Sequence, residues 1–229
     1  MEHTVKYAQY MKRLDDLLEK TPWSGAGTSL RIPKHFAMLP APPPPQEGEV
    51  PKRDPRMPDY LRVTFPCLEA AWQMTIPVKT ENDTLELSCY IYLLSNYRLY
   101  LGEPSGLQGA MLQSGESDDL LPVNFQPEVT YHITHALRLP IAERDSGAWE
   151  EVRVPETPDT FVPRKLYYRL GINLPSEFSP SKSESSLTIY QVETGEIHTS
   201  VIVVIPNLIP AEEKIEEKIR ACLETLEIN

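Results

Sequence analysis

From about residue 59 to residue 205, apolar and polar side chains alternate with a period of two. Leu85, Leu87, Cys89, Ile91 and Leu93 alternate with Glu86, Ser88, Tyr90 and Tyr92. Successive side chains of a strand point to opposite faces, so such a run describes a strand with one face turned to a core. The same rhythm marks Leu61, Val63 and Phe65; then Trp72, Met74, Ile76 and Val78; then Val129, Tyr131, Ile133, His135, Leu137 and Leu139; then Leu166, Tyr168, Leu170, Ile172 and Leu174. Ser95-Asn96 reads as a tight turn, with Tyr97, Leu99 and Leu101 leading a return strand. A second hairpin spans Leu187 to Ile205 and turns at Glu193-Thr194-Gly195, where glycine supplies a positive φ. The fold expected is mainly β, an antiparallel β-sandwich or partly open barrel of seven to nine strands, with one N-terminal and one C-terminal helix. An α+β layering, with the terminal helices over one sheet face, is the alternative.

The flanks have other periods. Tyr7, Met11, Leu14 and Leu18 repeat at spacings of four, three and four, which lines one face of a helix over 3–20 that Pro22 stops. Ile215, Ile219, Cys222 or Leu223, and Leu226 repeat the same spacing in a helix over 211–227. Between the first helix and the β-region, residues 22–66 hold 11 of the 23 prolines, including Pro42 to Pro45. Proline fixes φ and removes a donor, so an extended strap is expected. The chain thus divides into an N-terminal amphipathic helix (1–21), a proline-rich strap or linker (22–58), a β-rich acidic domain (59–210) and a C-terminal amphipathic helix (211–229).

Composition excludes several classes. The net charge is −11, and 59–210 carries 20 acids against 10 bases. A generic nucleic-acid binder, which gains affinity by neutralising phosphates, is disfavoured. The longest aliphatic run is Val201 to Ile205, far short of the roughly 20 residues of a spanning helix. The first residues lack the basic and apolar regions of a secretory signal. Cys67, Cys89 and Cys222 are odd in number and widely spaced, which argues against a disulfide framework and for a reducing, cytoplasmic setting.

No phosphate loop, dinucleotide fingerprint or nucleophile elbow is present. His132 and His135 would share a face on a helix but point apart on a strand, where His135 falls with Ile133 and Leu137 as a core or pocket-lining residue. Cys89 reads as inert packing, and Cys67 lacks a visible base. Asp118 and Asp119 read as solvated acids in a long loop over 102–126. No metal or cofactor is implied.

The aromatic pattern is the unusual feature. Tyr90 and Tyr92 oppose the core side of their strand, and Arg98 and Tyr100 on the expected return strand would join them in one patch. Lys165, Tyr167 and Arg169 repeat the theme. Such a face is expected to lie under proline-rich chain, the protein's own or a partner's. The expected function is a non-catalytic interaction or assembly subunit, acting through Tyr90, Tyr92, Arg98, Tyr100, Tyr167 and Arg169 and the helical stripes Tyr7, Met11, Leu14 and Leu18, and Ile215, Ile219 and Leu226. The partner would be a protein or a second copy. A small-ligand binder or enzyme with a pocket near His135, and a nucleic-acid-associated factor using Lys52, Arg53 and Arg56, are the alternatives.

Overall fold

A computed structural model describes residues 2–43, 54–61, 63–79, 84–101, 125–137, 149–156, 161 and 163–229. Helix α1 (Glu2–Leu17) comes first. Strands β1 (Trp23–Gly25), β2 (Thr28–Leu30), β3 (Ala37–Met38), β4 (Leu68–Lys79) and β5 (Thr84–Ser95) follow. A single helical turn α2 (Tyr97–Tyr100) and helix α3 (Phe125–Ala136) precede β6 (Trp149–Val154), β7 (Lys165–Leu174), β8 (Ser185–Thr194) and β9 (Ile197–Pro206). Helix α4 (Ile215–Glu224) and strand β10 (Glu227–Ile228) end the chain.

The fold is mainly β, and all its strand pairs are antiparallel. Seven strands form one open sheet in the order β3-β4-β5-β9-β8-β7-β6, and β1-β2-β10 form a smaller one. The central strands β5 and β9 are apolar on both faces. Ile91, Leu93, Val201 and Val203 face a core closed by Leu14 of α1 and Leu18 just after it, by Ile215, Ile219 and Leu223 of α4, and by the small sheet. Tyr92, Leu94, Ile202 and Val204 face a second core closed by Leu61, Val63 and Phe65 and by Val129 and Ile133 of α3. Burial on both sides accounts for the unbroken run Val201 to Val204, whose side chains are each worth about 1.5–3 kcal/mol when fully buried. The helical stripes Leu14, Leu18, Ile215, Ile219 and Leu226 are therefore core residues of this one molecule.

The β7, β8–β9 and terminal-helix expectations agree with the structure, with trimmed ends. Three expected strands do not. Leu61, Val63 and Phe65 are buried, but Asp59–Leu61 is a 3₁₀ turn and none of the described residues of this segment pairs with a strand. It lies on a sheet face as a cover, which selects alternate residues without ladder hydrogen bonds. Ser95-Asn96 is not a hairpin turn: β5 pairs with β4 and β9, and the chain enters α2 instead. Residues 129–136 are helical. Val129, Ile133 and Leu137 satisfy a spacing of four as well as of two, and the helix is the solution that seats them on the second core. His135 consequently lies on the exposed side of α3 rather than in the core. The strap is also shorter than expected, because β1, β2 and β3 occupy part of it. Pro44, Pro45, Lys52 and Arg53 lie outside the described residues.

A buried amide holds one end of the sheet. Asn96 is 0% exposed. Its Nδ2 donates to the Glu196 carbonyl at 3.0 Å, and its Oδ1 accepts from the His198 N–H at 2.8 Å. It clamps the β8–β9 turn, where Gly195 takes φ 63°, to the end of β5. Asn96→Ala leaves two part-buried main-chain groups without these partners and should cost about 1–3 kcal/mol in urea unfolding with an unchanged m-value.

On the other side, no described strand pairs with the outer edge of β4 beyond Gln73. The Ala71 carbonyl faces that edge, accepting from the Leu39 N–H at 2.8 Å. By alternation Gln73, Thr75 and Pro77 also turn their main chain outward. Pro77 has no N–H to offer, which blunts the edge as a template. Pro77→Thr restores a donor and should raise concentration-dependent self-association in sedimentation velocity while shifting stability by only about 0.5 kcal/mol.

Candidate functional site

The two tyrosines of β5 share a face as expected. Tyr90 and Tyr92 stack with centroids 5.8 Å apart and planes 9° from parallel. Their cover is the protein's own chain. The Tyr60 hydroxyl meets that of Tyr92 at 2.9 Å, its ring lies 5.5 Å from Tyr90, and Phe65 stands edge-on to Tyr92 at 5.0 Å. Pro55, Pro58 and Pro66 flank this segment, so proline-rich chain does lie on the tyrosine face. Burial pushes the hydroxyls of Tyr60 and Tyr92 well above the ordinary range.

The other members of the expected patch are elsewhere. Arg98 and Tyr100 belong to α2, where Arg98 pairs with Glu69 at 3.1 Å and Tyr100 is exposed. Tyr167 and Arg169 lie on the opposite sheet face. The buried Tyr167 donates from its hydroxyl to the Leu223 carbonyl at 2.8 Å and so anchors α4. Tyr7 is exposed on α1, edge-on to Phe161 at 5.3 Å, and Met11 is half-buried. Arg56 is held by Asp54 and by the Glu69 carbonyl. His135 stacks on Tyr131 at 5.3 Å on the outer surface of α3. The loop expected over 102–126 falls almost wholly outside the described residues, and the side chain of His132 is not described. Cys89 and Cys222 are buried thiols pushed up to about 12, first by burial, as expected of inert packing residues.

A concave site that the periodicities do not flag runs beside α4. Two adjoining clefts of about 980 and 470 Å³ share Pro155, Glu156, Arg220 and Glu224. On this sheet face, strand β7 presents Arg169, Gly171 and Asn173, and β8 presents Ser186, Thr188 and Tyr190 opposite them. Of these, Arg169, Tyr190 and Ser186 line the clefts. The only sequence signal is that β7 and β8 are apolar on one face, whereas β5 and β9 are apolar on both.

The site's charges come from four separate segments. Arg169 pairs with Glu150, and Arg220 pairs with Glu156 at 3.1 Å. Arg164 donates to the carbonyls of Pro155 at 3.1 Å and Glu156 at 2.9 Å. Arg13 of α1 reaches the buried Glu224 of α4. Burial raises the pKa of Tyr190, while Arg169 and Arg220 beside it pull the other way. Tyr10 is pushed up to about 12, first by burial and then by the Glu224 carboxylate. Burial lowers Lys165, against Glu227 and Glu224.

These shifts set an alkaline limit. The ordinary thiol and phenol values here are 9.0 and 10.0, and folding raises Cys89, Cys222 and Tyr10 to about 12. Above pH 9 the unfolded chain therefore releases protons that the folded chain retains. The stability is complete below pH 9 and falls as pH rises towards 12. Urea midpoints should decline steadily over that window, and the tyrosinate absorbance of Tyr92 and Tyr167 should appear together with loss of structure. Titration of all tyrosines near 10 in a folded chain would contradict the burial described.

Neither a family model nor a curated protein matches this chain. A crystal structure of a protein from Bacteroides thetaiotaomicron is similar over 91% of this chain and 48% of its own, at 9% identity and a TM-score of 0.36. The chain spans about half of that protein's length, and a likeness of this degree carries no argument about function.

Proposed function

We propose that the chain is a non-catalytic interaction or assembly subunit that meets a protein partner, or a second copy of itself, through the layer formed by α2 and α3. The observation that carries this reading is the outward apolar surface of that layer. Both elements pack against β9, with Leu99, Val129 and Ile133 turned into the core. Their outward residues Tyr100, Leu101 and Tyr131 are 50%, 51% and 49% exposed, and Tyr131 is stacked on His135. Scattered exposed leucines are ordinary. Rigid aromatics held on a packed layer are the residues that anchor interfaces, because they bury much area for little lost entropy.

The interacting residues are thus fewer than the sequence suggests. Tyr100 and Arg98 stay at this surface, while Tyr92, Tyr167 and the stripe residues Leu14, Leu18, Ile215, Ile219 and Leu226 are buried in the protein's own cores. A protein partner also fits the charge, since −11 disfavours phosphate chains. Three buried cysteine thiols fit a reducing compartment. No helix among the described residues is long and apolar enough to cross a membrane.

Photo-crosslinking side chains placed at 101 and 131 in the full chain, expressed in its own cells, test the reading. Discrete adducts should form at these positions but not at Glu86, which is exposed on β5. An adduct with a second copy selects self-association. Absence of any adduct at both positions overturns the assignment.

A further inference from the structure

We infer that the smaller cleft beside α4 is a binding site for the oxyanion head of an amphipathic small molecule, a carboxylate or a phosphate, held by Arg169, Arg220 and the Tyr190 hydroxyl. This goes beyond the interaction reading and does not depend on it, because it uses the opposite face of the sheet.

Three observations converge on the cleft. First, Arg169 and Tyr190 are cross-strand partners on β7 and β8, and Arg220 of α4 overhangs them. Both guanidinium groups lie close enough to Tyr190 to oppose the burial that raises its hydroxyl. Planar guanidinium forks and a phenolic O–H suit a bidentate oxyanion better than any neutral group. Second, three arginines, Arg164, Arg169 and Arg220, reach this cleft from separate segments of an acidic protein. Arg164 is held by two carbonyl groups, and no carboxylate among the described residues meets it at contact distance.

Third, the carboxylates that pair with the two central arginines are easy to displace. Glu150 and Glu156 have side chains 62% and 71% exposed. Exposed pairs of this kind contribute little, so an entering oxyanion can take over the guanidinium groups while the glutamates turn to water. The adjoining cleft has Ile205, Ile209 and Ile215 along its wall and a volume of about 980 Å³. It gives the apolar remainder of the ligand a place to lie, within the size range of small-molecule sites.

The test titrates octanoate, octyl phosphate and octan-1-ol into the full-length protein and follows amide NMR shifts. Saturable binding of one or both anions is expected, with shifts at Arg169, Tyr190 and Arg220 and at least tenfold weaker binding of octan-1-ol. Arg169→Gln and Arg220→Gln should each weaken anion binding about tenfold, and Tyr190→Phe less. Lys79→Gln, at the exposed end of β4, should leave it unchanged. Thermal melts of each variant check the fold, and the exposed guanidinium groups make Gln replacements mild. Stronger binding of octyl phosphate assigns a phosphate ligand, and stronger binding of octanoate a carboxylate. Absence of saturable anion binding, binding of octan-1-ol as tight as that of the anions, or indifference to both arginine substitutions overturns the proposal.

Discussion

The structure depends on two central strands that are apolar on both faces. Val201 to Val204 of β9 and Ile91 to Leu94 of β5 cannot leave either side of the sheet in water. An antiparallel sheet with one dry face needs one covering layer, and this sheet needs two. The terminal helices and the small sheet close one side, and the segment around Phe65 together with α3 closes the other. The chain ends are therefore part of the core. Arg13 joins α1 to Glu224 of α4, the Arg31 N–H donates to the Thr225 hydroxyl at 2.9 Å, and β2 pairs with β10.

The same requirement explains where the surface features lie. Towards β7 and β8 the side chains beneath α4 turn polar, so the cover is no longer needed and a trough opens. On the opposite side α2 and α3 are short elements that turn their apolar residues inward and leave aromatic ones outside. Buried polar atoms occur where layers must be fixed in register. The Tyr60–Tyr92 pair and the Tyr167 hydroxyl each tie a covering segment to the sheet by one hydrogen bond, of a kind worth about 1 kcal/mol net and more to leave unmade.

Much of the fold was legible in the alternation, because β4, β5 and β7 are long enough for period two to be unambiguous, and the glycine turn marks the β8–β9 hairpin. The helical stripes were legible for the same reason at period 3.6, though whether they packed on this sheet or on a partner was not. The misreadings have physical causes. Val129, Tyr131 and Ile133 are strand-favouring residues whose spacing also fits a helix, and only the contacts of Ile133 decide. Leu99 and Leu101 imitate a return strand because a single helical turn is too short to show a period. β1, β2 and β10 are two or three residues long and carry no pattern. The tyrosine face was legible as a covered surface, but the identity of its cover depends on Tyr60 and Phe65 meeting it from afar. The trough was not legible, because Arg164, Arg169 and Arg220 come from segments that only the tertiary fold brings together.

Native-state hydrogen exchange, resolved by residue, tests most directly the claim that both covering layers belong to one cooperative core. Amides of Ile91, Leu93, Val201 and Val203 should exchange only through global unfolding, and those of Ile219 and Leu223 in α4 and Leu14 in α1 should show the same opening free energy. Exchange of α1 and α4 at much lower free energy, with β5 and β9 still fully protected, would contradict it. The terminal helices would then be attachments to a sheet that is stable without them.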